Sequence, residues 1–353
     1  WMVPLTAAAA VLAIGVLAGV AGPRVLGHAR ERQAGTASPG AKHGITIPSH
    51  DGRVTDRYVV GLDQNNGASL IVASATTGRR VATVDPPGQG EHFGAVTTAN
   101  GRFAVAAVWP ASGCGSKLTL FPLSRGVLPR EQLTLVAFAH LIVEQVADIG
   151  VGSTVAFYAQ ECGTFHGAEP AVLGVFSFKT GKTREWRVPG QEDISPISLS
   201  SNGRLLEYSV ELTKLYPSGI YLLPTDAAHG TAAQRSRELV RARSFGATDN
   251  INSAVITPDG AKVYFTTNTT GPAYDSTWTL RSANVATGQV SVVGRYSGFP
   301  DYFTANPQVT QILVADEANP ARVARMVRVD LASGTLTALP QRGWNPARYT
   351  YIW

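Results

Sequence analysis

Two cysteines are the residues most able to do covalent chemistry in this 353-residue chain: Cys114 in SGCGS and Cys162 in QECGT. They could form a disulfide, remain free thiols or hold a metal. A metal or redox pair needs further ligands or a C-x-x-C spacing, and the sequence has neither beside them. His92, His140, His166 and His229 fall in expected loops, with His92 and His140 just ahead of strand-like runs. Converging at one mouth of a fold, such histidines could bind a metal if two more ligands joined them. Solvated loop histidines are the simpler reading. Asp148, Glu161, Asp193 and Asp249 lie near expected strand ends, where a facing pair of carboxylates would suit general acid–base chemistry. The familiar templates are missing: there is no G-x-S-x-G elbow, H-E-x-x-H pair, EF-hand loop, phosphate-binding P-loop or sialidase S-x-D-x-G-x-T-W box. The expectation is no catalytic residue, no metal site and no cofactor.

What must position these residues is a repeat. Two apolar runs around a Gly- or Asn-containing turn recur as GAVTTANGRFAVAAV from Gly94, VADIGVGSTVAFYA from Val146, SPISLSSNGRLLEYSV from Ser195 and SAVITPDGAKVYFTT from Ser253. A looser copy, YFTANPQVTQILVA, starts at Tyr302. Asn-Gly and Asp-Gly between alternating apolar runs are the strongest short hairpin signal, and Val, Ile, Phe and Tyr suit a pleated surface. A second hairpin follows each time: SLIVASATTGRRVATV from Ser69, LGVFSFKTGKTREWRV from Leu173, LRSANVATGQVSVVGRY from Leu280 and VRVDLASGTLTAL from Val327. Thr77-Gly78 and Thr180-Gly181 are turn residues of these hairpins. Four strands per unit at a period of about 50 residues predicts an all-β, six-bladed propeller over 52–353. A sandwich or meander is the alternative, but it does not explain the fixed alternation of two hairpin types. The first blade, from Arg57 (RYVVGLD), lacks an innermost strand, and the chain closes with NPARYTYIW. A C-terminal strand added to blade one would close the ring and remove two exposed edges. A seventh blade would arise only if Ile45–Pro48 belongs to a further unit.

In this repeat Cys114 and Cys162 occupy equivalent loops of neighbouring units, which makes a disulfide geometrically reasonable; free thiols are the alternative. A disulfide would place the propeller outside the reducing cytoplasm. Connections between second and third strands are long: Pro110–Ser116, Glu161–Pro170, Glu211–Ser218, Asn268–Ser276 and Asp316–Arg322. Up-and-down strands gather them on one face. Trp109, Phe165, His166, Tyr216, Tyr274, Tyr296, Phe299 and Tyr302 fall there, as candidates for a binding surface. Their plainer role would be to cover blade ends. Trp186 and Trp278 lie within strand-like runs and are expected inside blades.

PDGAKVYF at Pro258–Phe265 and SNGRLLEY at Ser201–Tyr208 resemble the S-P-D-G-[RK]-x-[ILV]-x-[FY] pattern of WD40-like and TolB-like propellers. The plan is similar to that of membrane-anchored actinobacterial proteins of this type, with one N-terminal helix ahead of a propeller ending in an aromatic strand. The GH and WD dipeptides of true WD40 repeats are absent, so intracellular scaffold roles are not implied. The resemblance implies the fold over roughly 52–353 and assigns no activity.

Residues 1–23 contain no charge, and Arg24 stops the run. About 20 such residues span a bilayer core, so a transmembrane helix is expected at 1–23 and a flexible Gly/Ala/Ser/Pro tether at 24–51. A cleaved signal peptide and a buried helix are the rival readings. The first residue is Trp1, so further residues are expected upstream. Of the net charge of +5, residues 1–50 carry +3 and the rest only +2. No basic cluster typical of nucleic-acid binding is visible in the propeller sequence. The functional expectation is a single-pass protein of the cell membrane, its propeller a non-catalytic binding or sensing module. The long-loop face would contact a protein or cell-envelope component. A hydrolase or lyase with an axial active site, or a purely structural propeller, are the alternatives.

Overall fold

The computed structural model describes residues 58–63, 69–99, 103–122, 133–147, 154–162, 171–188, 194, 197–210, 218–245, 250–269, 277–316, 325–340, 342–346 and 348–353. The expected membrane helix at 1–23, the tether at 24–51 and the Ile45–Pro48 stretch lie outside the described residues. Among the described residues, no helix is long and apolar enough to cross a membrane.

Six four-stranded antiparallel sheets make six blades. Blade 1 is β1 (Tyr58–Asp63), β2 (Leu70–Ser74) and β3 (Arg80–Val84), with β24 (Tyr349–Ile352) paired to β1 as the innermost strand. Blade 2 is β4 (His92–Ala99), β5 (Phe103–Trp109), β6 (Ser116–Pro122) and β7 (Leu133–Phe138). Blade 3 is β8 (Leu141–Ala147), β9 (Thr154–Glu161), β10 (Ala171–Ser177) and β11 (Lys182–Val188). Blade 4 is β12 (Ser198–Leu199), β13 (Leu205–Val210), β14 (Gly219–Pro224) and β15 (Arg237–Arg241), with a one-turn helix α1 (Ala232–Arg235) before β15. Blade 5 is β16 (Asn250–Ile256), β17 (Lys262–Thr269), β18 (Thr277–Asn284) and β19 (Val290–Ser297). Blade 6 is β20 (Pro300–Ala305), β21 (Gln311–Asp316), β22 (Arg325–Asp330) and β23 (Leu336–Ala338). The missing strand of blade 1 is thus supplied by β24, with Val60 opposite Ile352 and Asp63 opposite Tyr349.

The second strands read as continuous apolar runs because both of their faces are buried. In β1 and β2, Val59, Ile71 and Ala73 pack toward blade 6, while Val60, Leu70 and Val72 pack toward blade 2. The same division recurs around the ring, giving one apolar cluster at each seam: blades 1–2, 2–3, 3–4, 4–5, 5–6 and 6–1. Phe157 fills the seam of blades 2 and 3, and Trp186 and Trp278 are fully buried at later seams. Burying each such side chain stabilises the fold by about 1.5–3 kcal/mol.

Polar side chains finish the seams by serving backbone groups of the neighbouring innermost strand. The Ser116 hydroxyl donates to the Leu141 carbonyl (2.8 Å) and accepts the Val143 N–H (3.2 Å). Gln145 donates to the Ile194 carbonyl (2.6 Å) and accepts the Ile197 N–H (3.2 Å). Ser198 Oγ accepts the Ile256 N–H (2.8 Å). At the closing seam, Tyr302 Oη donates to the Tyr349 carbonyl (3.1 Å) and accepts the Tyr351 N–H (3.0 Å), and Thr304 accepts the Trp353 N–H (3.0 Å). An inner strand has only one ladder neighbour, so these bonds meet a requirement the sheet itself cannot.

Candidate functional site

Second strands end on the long-loop face, and charged or sulfur links hold their ends. Cys114, in the β5–β6 connection, is disulfide-bonded to Cys162, just after β9, with their Cα atoms 5.8 Å apart. The Cys162 N–H donates to the His140 carbonyl (2.9 Å), tying the same loop to the entry of β8. Asp63, at the end of β1, accepts from Arg348 (3.1 Å) ahead of β24, and its side chain is only 5% exposed. Asp316, at the end of β21, accepts from both Nε (3.1 Å) and Nη2 (3.0 Å) of Arg325 at the start of β22. Burial pushes the Asp316 carboxyl up from its ordinary value, and Arg325 opposes that. Glu91 and Lys117 make a third ion pair on this face.

Four of the aromatic candidates can be placed. The Trp109 ring lies over Gly94, meets His92 edge-on at 5.4 Å, and donates its Nε1–H to the Val143 carbonyl of blade 3 (2.8 Å). Tyr296 packs tilted against Trp278, with ring centroids 4.3 Å apart, and donates to the Gly334 carbonyl (2.8 Å). Phe299 is half-buried between β19 and β20, and Tyr302 belongs to the closing seam. These four lie at separate blade ends and seams. Phe165, His166, Tyr216 and Tyr274 lie outside the described residues, as do Asp148, Asp193 and Asp249. His92 opens β4 instead of preceding it, while His140 and His229 are exposed, their carbonyls accepting from Cys162 and Arg235.

The innermost strands enclose an axial cavity of about 620 Å³. Val96, Val146, Leu199, Val255, Phe303 and Ile352 line it, one from each of β4, β8, β12, β16, β20 and β24. Behind its wall sits Glu207 of β13, fully buried. Its Oε2 accepts from the lining residue Ser198 (2.6 Å), and its Oε1 has no hydrogen-bond partner among the described residues. Burial pushes this carboxyl up to about 8, against the smaller opposing effect of the Ser198 bond. Glu207 is therefore mostly protonated at neutral pH. No motif points to Glu207; its one signal in the sequence is a lone acid inside the apolar run LLEYSV.

The fold has known counterparts. The chain is similar to TolB from Acinetobacter baumannii, with 11% identity and a TM-score of 0.54, covering 80% of this chain and 63% of that one. The fold is that of a six-bladed, TolB-like β-propeller. An oligogalacturonate lyase in complex with manganese is similar at 11% identity and TM-score 0.53, over 76% of this chain and 69% of that one. A TolB-type protein from Agrobacterium tumefaciens follows at 13% identity and TM-score 0.52, over 80% of this chain and 88% of that one. The chain thus spans less than two thirds of the Acinetobacter protein's length. No family model and no curated protein matches the sequence. At these identities the likeness concerns the fold, and fold alone assigns no activity.

Proposed function

We propose that this chain is a membrane-anchored binding module outside the cytoplasm, and that its long-loop face contacts a protein or another cell-envelope component. The observation that carries this reading is the Cys114–Cys162 cross-link between loops of adjacent blades on that face. Disulfides persist outside the reducing cytoplasm. A cross-link between surface loops also lowers the ordering cost that a partner would otherwise meet on binding. The competing reading is a hydrolase or lyase acting in the axial channel. Among the described lining residues the channel has one carboxylate, Asp259. Its Oδ1 already accepts from Thr257 (2.6 Å) and from the Ala261 N–H (3.0 Å) in its own turn.

Trp109 is a poor probe of this surface, because its indole also joins two blades. The test is cross-linking and capture from native membranes, comparing the natural chain with a Cys114→Ser/Cys162→Ser variant and with Tyr216→Ala. Loss of the captured component in both variants is expected. Equal recovery from all three would remove the long-loop face from the account.

A further inference from the structure

Three short turns between first and second strands border the axial cavity: Ser200–Arg204, Thr257–Ala261 and Asn306–Thr310. Each closes with the same backbone bond. Gly203 donates to Ser200 (2.8 Å), Gly260 to Thr257 (2.8 Å) and Val309 to Asn306 (2.7 Å). The donor residue is left-handed in all three, with φ of 68°, 72° and 50°. Two turns use glycine there, which has no Cβ to crowd the following carbonyl. The third uses a β-branched residue, and Val309 is the only non-glycine with positive φ among the described residues. Backbone strain of this kind persists where surrounding structure holds it, and it gathers at functional positions. Here the strained residue lies at the edge of the cavity, where its half-buried side chain also packs against the seam of blades 5 and 6.

The cavity itself has the size of small-molecule sites. Thr97, Ser198, Thr304 and Thr350 interrupt its apolar lining, but the Ser198 hydroxyl is taken up by Glu207 and the Ile256 N–H, and the Thr304 hydroxyl accepts the Trp353 N–H. Among the described lining residues there is no Lys, Arg or His. The one carboxylate, Asp259, is exposed at the turns, and its bonds to Thr257 and Ala261 hold it ionised, below its ordinary value. No cationic side chain in the described lining would pair with an anion, and Asp259 would repel one. The geometry points to a binding site for an uncharged, mainly apolar small molecule in the axial channel, entered past the short turns with Val309 as its lip. This site is on the side of the ring opposite the long loops and does not depend on the partner proposed there.

The test is a fluorescence titration of the full chain in nanodiscs, with empty discs subtracted. The probes are neutral N-phenyl-1-naphthylamine and anionic 8-anilino-1-naphthalenesulfonate, which share an aromatic body. Saturable binding of the neutral probe is expected, about tenfold tighter than the sulfonate, whose charge the lining cannot compensate. Val309→Gly and Val309→Ala should each weaken the neutral probe about fivefold through the lost apolar contact. They should do so equally, although the Gly variant melts higher than the Ala variant. Absent saturation, equal affinity for both probes, unchanged affinity in the Val309 variants, or a loss that follows melting temperature would each overturn the site.

Discussion

On the long-loop face, Asp63, Asp316 and Cys162 stand at the ends of second strands and are tied to Arg348, Arg325 and Cys114. On the opposite face the turns at Ser200, Thr257 and Asn306 each close on their own backbone, and the first is also joined to the second by the Ser201 N–H (2.9 Å) and hydroxyl (2.6 Å) donating to the Pro258 carbonyl. The difference lies in what fixes each surface. Short turns are specified by four or five adjacent residues, so their shape is set locally. Long connections have no such local code, and links to distant residues hold their ends. The long-loop face is thus the one whose geometry rests on a few long-range links, and the channel side the one where strain and burial are built into the ring.

The largest effect is expected on the channel side. Glu207 keeps its proton in the folded chain up to about pH 8, whereas its ordinary value is 4.5. Between these values the unfolded chain releases a proton that the folded chain holds, so stability falls as pH rises and levels off above about 8. Glu207→Gln should therefore have little effect at pH 4 and should stabilise increasingly toward pH 8.5, by up to about 5 kcal/mol at roughly 1.4 kcal/mol per pH unit. Denaturant titrations at pH 4, 6 and 8.5 measure this. A variant less stable than the natural chain at pH 8.5 would show that the carboxyl is satisfied in a way this structure does not contain.

On the long-loop face, Cys114→Ser/Cys162→Ser removes a bond that closes a sequence separation of 48 residues. The expected loss is about 4 kcal/mol in the chain-entropy model, seen as a lower denaturation midpoint, with no change in probe binding at the channel. Loss of probe binding would mean that the two faces are not separable. Arg325→Ala leaves the buried Asp316 carboxylate without its cation and should cost about 3 kcal/mol. A cost below about 1 kcal/mol would place that pair with ordinary surface ion pairs. The smallest effect sharpens the comparison at one residue: Val309→Gly should be more stable than Val309→Ala by about 1 kcal/mol, the relief of a left-handed Cβ.

Much of this architecture is legible in the sequence, for a physical reason. Asn-Gly and Asp-Gly turns and paired apolar runs act locally, so SSNGRLLEYSV and ITPDGAKVYF announce their hairpins. The closing strand could be read from NPARYTYIW because blade 1 was one strand short. Trp186 and Trp278 were expected inside blades and are fully buried. What the sequence withholds is cross-seam chemistry. That Trp109 reaches the Val143 carbonyl, that Arg348 meets Asp63 and that Tyr302 stitches β24 to β20 depend on residues 34, 285 and 47–49 positions apart. The strain at Val309 is hidden for a different reason. NPQV, the turn of the looser repeat copy, carries no glycine, and only the fold shows that its valine takes the left-handed place of the glycine in SNG and PDG.

The Cys114–Cys162 bond supports both the proposed compartment and the fixed long-loop face, so its state in the native protein tests the account most directly. Protein from intact membranes would be denatured and alkylated without reductant, then again after reduction, and the modified thiols counted by mass spectrometry. The account predicts no alkylated cysteine before reduction and both after it. Two alkylated cysteines before reduction would contradict it.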